Sequence, residues 1–210
     1  TSSGGSSGSG GGSTGAFALT SPKLTEGAKF ADEYTCASGN AGKSVPLTWT
    51  AGPSGTLSYA VILLDTNTMP PFNHWVIWDI PPTTTMLPEG LATDAMLTMP
   101  AGAKQKGGQG SGYLGPCPSG NSHVYKFTVY AMDVATLPNA MTSMATSALA
   151  TAVQAHDLAS ASLSGNSDAK SPRSASSHRD REGLPTRSPP RRNYRSVSRP
   201  RRTIEHETRC

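Results

Sequence analysis

The chain has 210 residues, enough for one domain of ordinary size with tails, and its hydrophobic share without Gly is 35%, where globular chains have roughly 45–50% with Gly counted in. Residues 1–169 hold 6 Lys and no Arg against 10 Asp and Glu, while residues 170–210 hold 12 Lys and Arg against 4 acidic residues. The basic character therefore belongs to the tail, which argues against nucleic acid as a partner of the folded body, and no apolar run reaches the ~18 residues of a membrane-spanning helix.

Residues 1–15 are Gly, Ser and Thr only. Such a stretch has almost no apolar surface to bury, which predicts a disordered tether. The chain opens at Thr1 with no apolar signal segment ahead of the spacer. That pattern fits a secreted protein, or one anchored to the envelope through a lipidated Cys upstream of Thr1. A plain linker and a cytoplasmic location are the alternatives. Three cysteines, Cys36, Cys117 and Cys210, fit one disulfide and a leftover. Cys36 and Cys117 are the natural pair because both lie in the body; two buried thiols remain the other reading.

Residues 16–168 are the stretch able to fold. Phe17–Thr20 and Val45–Thr50 are short strand candidates. Leu57–Asp65 is rich in strand formers and bounded by Pro and Gly; His74–Ile80 is stopped by Pro81 and Pro82. Pro100–Asn121, rich in Gly and Pro, predicts a long functional loop. His123–Met132 alternates best: His123, Tyr125, Phe127, Val129 and Ala131 share one face. The spacing of Leu149, Val153, His156 and Leu163 predicts a helix over about 147–163, ended by Gly165. Several strands and one late helix suggest a β-sandwich with helical decoration. From 169 to 210 the chain turns into Arg, Ser and Pro, a disordered basic tail able to meet anionic lipid, nucleic acid or cell-wall polymer. So abrupt a change of composition also fits a shifted reading frame.

Polar groups gather at strand ends. Asp65 closes one strand, His74 opens the next, and His123 opens the third with Tyr125 on the same face. Two imidazoles, a phenol and a carboxylate around a cleft make an anion site: His and Tyr donate hydrogen bonds, and Asp orients an imidazole. Gly112–Pro118 just before would supply a wall, with glycines for close approach and prolines for stiffness. Trp49, Trp75 and Trp78 read as core or pocket wall, and His156 as a packing residue. No Cys/His spacing suits zinc and no phosphate-binding P-loop is present, so no cofactor is expected.

The run from Asp65 through Pro70, Pro71 and Phe72 to His74-Trp75, followed by Gly112 to Asp133 (GYLGPCPSGNSHVYKFTVYAMD), resembles the phosphatidylethanolamine-binding protein family, in its bacterial Raf kinase inhibitor-like branch. Further matches are Tyr34-Thr35-Cys36, Pro46 to Trp49, Ile80-Pro81 and His156 to Gly165, so the resemblance covers roughly residues 17–165. It implies an all-β fold: an antiparallel Greek-key β-sandwich with peripheral helices. It also implies a small pocket for phosphate-type anions, with Asp65, His74, His123 and Tyr125 on pocket positions and Gly115 and Pro116 in the lining loop. Two departures stand out. The family's second carboxylate in D-P-D-x-P is Asn67 here, and the Arg of H-R-Y is Val124, which the strand period turns away from His123 and Tyr125.

The leading expectation is a non-enzymatic binding protein for a small anion or phospholipid head group. A second is an inhibitor of a kinase or peptidase, or another protein-interaction module, acting through Pro100–Asn121. A hydrolase using an Asp–His pair ranks last, for want of a nucleophile elbow. Membrane proximity would come through an upstream lipid anchor or the basic tail.

Overall fold

The computed structural model describes residues 15–172. The expected tether, apart from Gly15, and the basic tail beyond Pro172 lie outside the described residues. The described residues form nine strands and one α-helix: β1 (Leu19–Thr20), β2 (Ala28–Lys29), β3 (Leu47–Trp49), β4 (Ser58–Asp65), β5 (Phe72–Ile80), β6 (Met86–Leu87), β7 (Lys104–Gly107), β8 (His123–Met132), α1 (Thr146–Gln154) and β9 (Asp157–Ser167). Two 3-10 turns, Asp32–Tyr34 and Cys36–Ser38, precede β3. Among the described residues the fold is mostly β with one α-helix.

The strands form two sheets, β1-β3-β6 and β2-β9-β8-β4-β5-β7. Pairing is antiparallel except at one edge, where β2 runs parallel to β9, a departure from the wholly antiparallel expectation. Leu19, Leu47, Trp49 and Leu87 of the small sheet share a buried cluster with Tyr59, Val61, Leu63, Trp75, Ile77, Tyr125, Phe127 and Val129 of the large one. On the other face of β4, β5 and β8, Ala60, Ile62, Val76, Trp78, Tyr130 and Met132 pack on Leu149, Ala150 and Val153 of α1. Burial on both faces explains why β4 and β5 read as continuous apolar runs rather than alternating ones. Trp49, Trp75 and Trp78 all lie in these cores.

Four sequence expectations need correction. The helix predicted over 147–163 ends at Gln154, and from Asp157 the chain is strand β9, which pairs with β8 along its whole length. Its period is two: Ala159, Ala161, Leu163 and Gly165 turn inward between more exposed neighbours. The loop predicted over Pro100–Asn121 contains β7, an edge strand bonded to β5. Gln105 of β7 points into the core, where it accepts from Trp75 Nε1 at 2.9 Å and donates to the carbonyls of Ala92 and Asp94. The packed body also runs past 168: Ala169 is buried, and Lys170 Nζ donates to the carbonyls of Pro118 and Gly120 at 2.7 and 2.6 Å. His156 is not a packing residue, since it pairs through Nδ1 with Asp133 Oδ1 at 2.8 Å on the surface.

Candidate functional site

The antiparallel register of β4, β5 and β8 brings three polar strand ends together. Asp65, the last residue of β4, stands opposite both Phe72 of β5 and Tyr125 of β8. His74 and His123 flank it from the two neighbouring strands. Asp65 is almost fully buried, yet both its oxygens are engaged: Oδ1 accepts the Asn67 N–H at 2.9 Å, and Oδ2 meets His123 Nδ1 at 2.7 Å. His123 Nδ1 therefore carries the proton that it donates, which leaves Nε2 for another partner. His74 Nε2 lies 4.0 Å from the same Oδ2.

His74 is fixed from its other side. Its Nδ1–H donates to the Leu114 carbonyl at 3.1 Å. Burial pushes its pKa below the ordinary imidazole range, against the raising effects of the Leu114 carbonyl and the Asp65 carboxylate. In the neutral tautomer with the proton on Nδ1, Nε2 presents a lone pair towards Asp65. Two acceptors facing one another make a place for a ligand group that donates, such as a protonated oxygen or an ammonium.

Tyr125 lies behind the two imidazoles. Its ring packs edge-on to His74 at 5.2 Å and stacks near His123 at 6.4 Å. It is fully buried, and its hydroxyl has no hydrogen-bond partner among the described residues. Burial, and then the nearby Asp65 charge, hold its ionisation well above the ordinary phenol range, so it remains a neutral donor.

In front of these groups is an open cavity of about 460 Å³. Asp65, His74, His123 and Gly115 line it, together with Phe72, Leu114, Asn40, Ala41, Gln109 and Ser171. The floor is polar, and Phe72, Ala41 and Leu114 make the walls largely apolar. Tyr125 and Pro116 do not line it. Tyr125 sits one layer beneath, and Pro116 is buried with its carbonyl accepting the Cys36 N–H at 3.1 Å. Gly115 has a steric reason: a Cβ there would stand 2.7 Å from the Ala41 carbonyl oxygen and closer still to that of Tyr34. Cys36 and Cys117 are bonded, and both line the cavity. Asn67, the replacement for a carboxylate, does not face the cavity. Its Oδ1 accepts the Val124 N–H at 2.7 Å and ties the β4 end to β8, while the Val124 side chain is exposed as the strand period requires.

Sequence reasoning missed Asn40, Ala41, Gln109 and Ser171 as lining residues. Asn40 and Ala41 follow Cys36 closely, so the pairing of Cys36 with Cys117 was the signal that could have found them. Ser171 carried no signal, because the compositional break at 169 assigns it to the tail.

Comparison with known proteins gives the arrangement its relatives. Residues 20–168 match the family profile described as phosphatidylethanolamine-binding protein. The UPF0098 protein of Chlamydia pneumoniae is 33% identical over 122 residues, 55% of this chain and 76% of that protein. The UPF0098 protein YbcL of Escherichia coli (strain K12) is 33% identical over 135 residues, 59% of this chain and 72% of that protein. Some relatives are longer, and the Mycobacterium tuberculosis protein Rv1910c is matched over 52% of its length at 30% identity. The crystal structure of YbcL, described as a new member of the mammalian PEBP family, superposes with a TM-score of 0.66 at 26% identity, covering 73% of this chain and 99% of that one. A homologue from Chlamydia trachomatis gives a TM-score of 0.60 at 28% identity, with 73% and 98% covered. The chain is a bacterial member of the phosphatidylethanolamine-binding protein family.

Proposed function

We propose that the protein is a non-enzymatic binding protein that holds a small anion, as free phosphate or as the phosphate of a phospholipid head group, over Asp65, His74 and His123. The observation that carries this reading is the shared carboxylate. Asp65 Oδ2 holds His123 Nδ1 and leaves its Nε2 for a ligand; once protonated, that nitrogen donates to an anion. The His74 lone pair and Asp65 accept from a protonated phosphate oxygen or an ammonium group. The reading carries with it the Greek-key sandwich of the family, of which two packed sheets are the observed part. A secreted or envelope-anchored location goes with it, supported by a disulfide that oxidising compartments preserve.

Calorimetric titration of the full chain with phosphate and with phosphoethanolamine tests this reading. Parent protein should bind at least one of them, and His123→Ala should weaken binding by tenfold or more. A folded parent that binds neither ligand would contradict it. A second reading, a protein-interaction module, is favoured by a separate groove of about 660 Å³, where Met86 and Met99 stand 56% and 70% exposed beside Pro100 and Ala101. A stoichiometric protein partner lost on Met99→Asp would favour that reading.

A further inference from the structure

The Cys36–Cys117 bond has no part in the binding chemistry, yet both half-cystines line the cavity. They come from two different walls. Cys36 opens the 3-10 turn that leads to Asn40 and Ala41, and Cys117 follows Leu114, Gly115 and Pro116. These walls are 81 residues apart in sequence. Among the described residues, the other ties across the cavity are three hydrogen bonds, Cys36 N–H to the Pro116 carbonyl, Gly115 N–H to the Ala41 carbonyl and the Tyr113 hydroxyl to the Tyr34 carbonyl, and the shared packing of Tyr34 and Tyr113 just behind the walls. Water at the cavity can replace the two backbone bonds, whereas it cannot replace a covalent one. The Cys117 wall also sets His74, through the Leu114 carbonyl. Neither cysteine belongs to the two apolar clusters that hold the sheets and helix together. Cys36 is 8% exposed, whereas Cys117 is exposed, so Cys117 is the half that an external thiolate reaches.

We propose that the Cys36–Cys117 bond is a redox gate on the cavity: oxidised, it joins the two walls, and reduced by a dithiol, it frees the 114–118 wall and the carbonyl that orients His74. The exchange is balanced. One thiolate of the dithiol attacks the Cys117 sulfur and expels the Cys36 thiolate, which takes up a proton. The second thiolate of the donor then attacks the donor sulfur of the mixed disulfide and expels Cys117. The donor leaves as a cyclic disulfide and the protein as two thiols. This inference rests on the anion-binding reading for its functional consequence: reduction lowers anion affinity, and by linkage a bound anion resists reduction by the same factor.

The test uses the full chain carrying Cys210→Ser, so that the remaining thiols come from this bond. Phosphate is titrated calorimetrically into the oxidised and the dithiothreitol-reduced protein, and the His74 ring nitrogens are followed by NMR in both states without ligand. Reduction should weaken phosphate binding about tenfold or more and shift the His74 Nδ1 resonance, with the Trp75 indole resonance unchanged. An unmoved His74 resonance with unchanged affinity overturns the gate. So does loss of the Trp75 and Trp78 core signals, which would make the bond a staple of the whole fold. The double variant Cys36→Ser, Cys117→Ser should match the reduced protein, and a match to the oxidised parent overturns the gate as well. If the oxidised chain takes up no phosphate, the binding reading fails, and the His74 resonance alone decides the gate: movement on reduction sustains it and constancy overturns it.

Discussion

Among single residues, the site depends on how one buried carboxylate is shared. Asp65, His74 and His123 stand at strand ends in the sequence, and the period of two places Tyr125 on the His123 face, so these groups are legible from residue order alone. Two details are not. Tyr125 lies beneath the cavity rather than in its wall, because the inward face of β8 passes from the cavity floor into the core within one residue pair. Asn67 serves the backbone of Val124 rather than the ligand site, a role that depends on the turn after β4 and not on residue type. The neutral, buried His74 has a consequence for stability. Its pKa is lower in the folded than in the unfolded state, where it lies near 6.5. The unfolded chain therefore takes up the proton first as the pH falls. The stability tied to neutral His74 is fully present above about pH 6.5 and is lost progressively on acidification towards the folded pKa. Denaturant midpoints measured between pH 7 and pH 5 should fall, and His74→Asn, which keeps a donor for Leu114, should flatten that fall. A parent midpoint that rises on acidification would refute the assignment.

Among the strands and the helix, composition misleads where partners decide. β9 is built largely of Ala, Ser and Gly, which have little strand preference, and its Leu163 falls in helical step with Leu149, Val153 and His156 before it. Pairing with the central strand β8 and the inward Ala and Leu make it a strand; tertiary context outweighs propensity there. β7 reads Lys-Gln-Lys-Gly, with no strand former, and its inward Gln105 is held by three hydrogen bonds that no pattern announces. The real helix, by contrast, shows its period: Thr146, Leu149, Ala150 and Val153 turn to the sheet at helical spacing. Leu149 is fully buried against the outer face of β4, β5 and β8. Leu149→Ala should cost about 3 kcal/mol of unfolding free energy, read from a chemical denaturation curve with unchanged slope. A cost below about 0.5 kcal/mol would mean that α1 is not part of the cooperative core.

Across the folded body, the sheets, the site and the disulfide depend on one another. The three central strands are buried on both faces, so their register is strongly specified, and that register brings Asp65, His74 and His123 to one end of the large sheet. The β-rich body is legible from the Pro-bounded apolar runs. The parallel pairing of β2 with β9 is not, because two-residue strands leave no periodic trace. The opposite end of β8 supplies an internal control, since His156 and Asp133 form a similar pair there, away from the cavity. The binding proposed for the site requires that an anion sit over Asp65 and its two imidazoles. NMR of the imidazole nitrogens of the full chain, recorded as phosphate is added at pH 6.5, reads that placement at the atoms concerned. The His123 Nε2 and His74 resonances should move together along one saturation curve while His156 stays fixed. Movement of His156 alone, or equal drift of all the histidines, would show that the anion does not bind there.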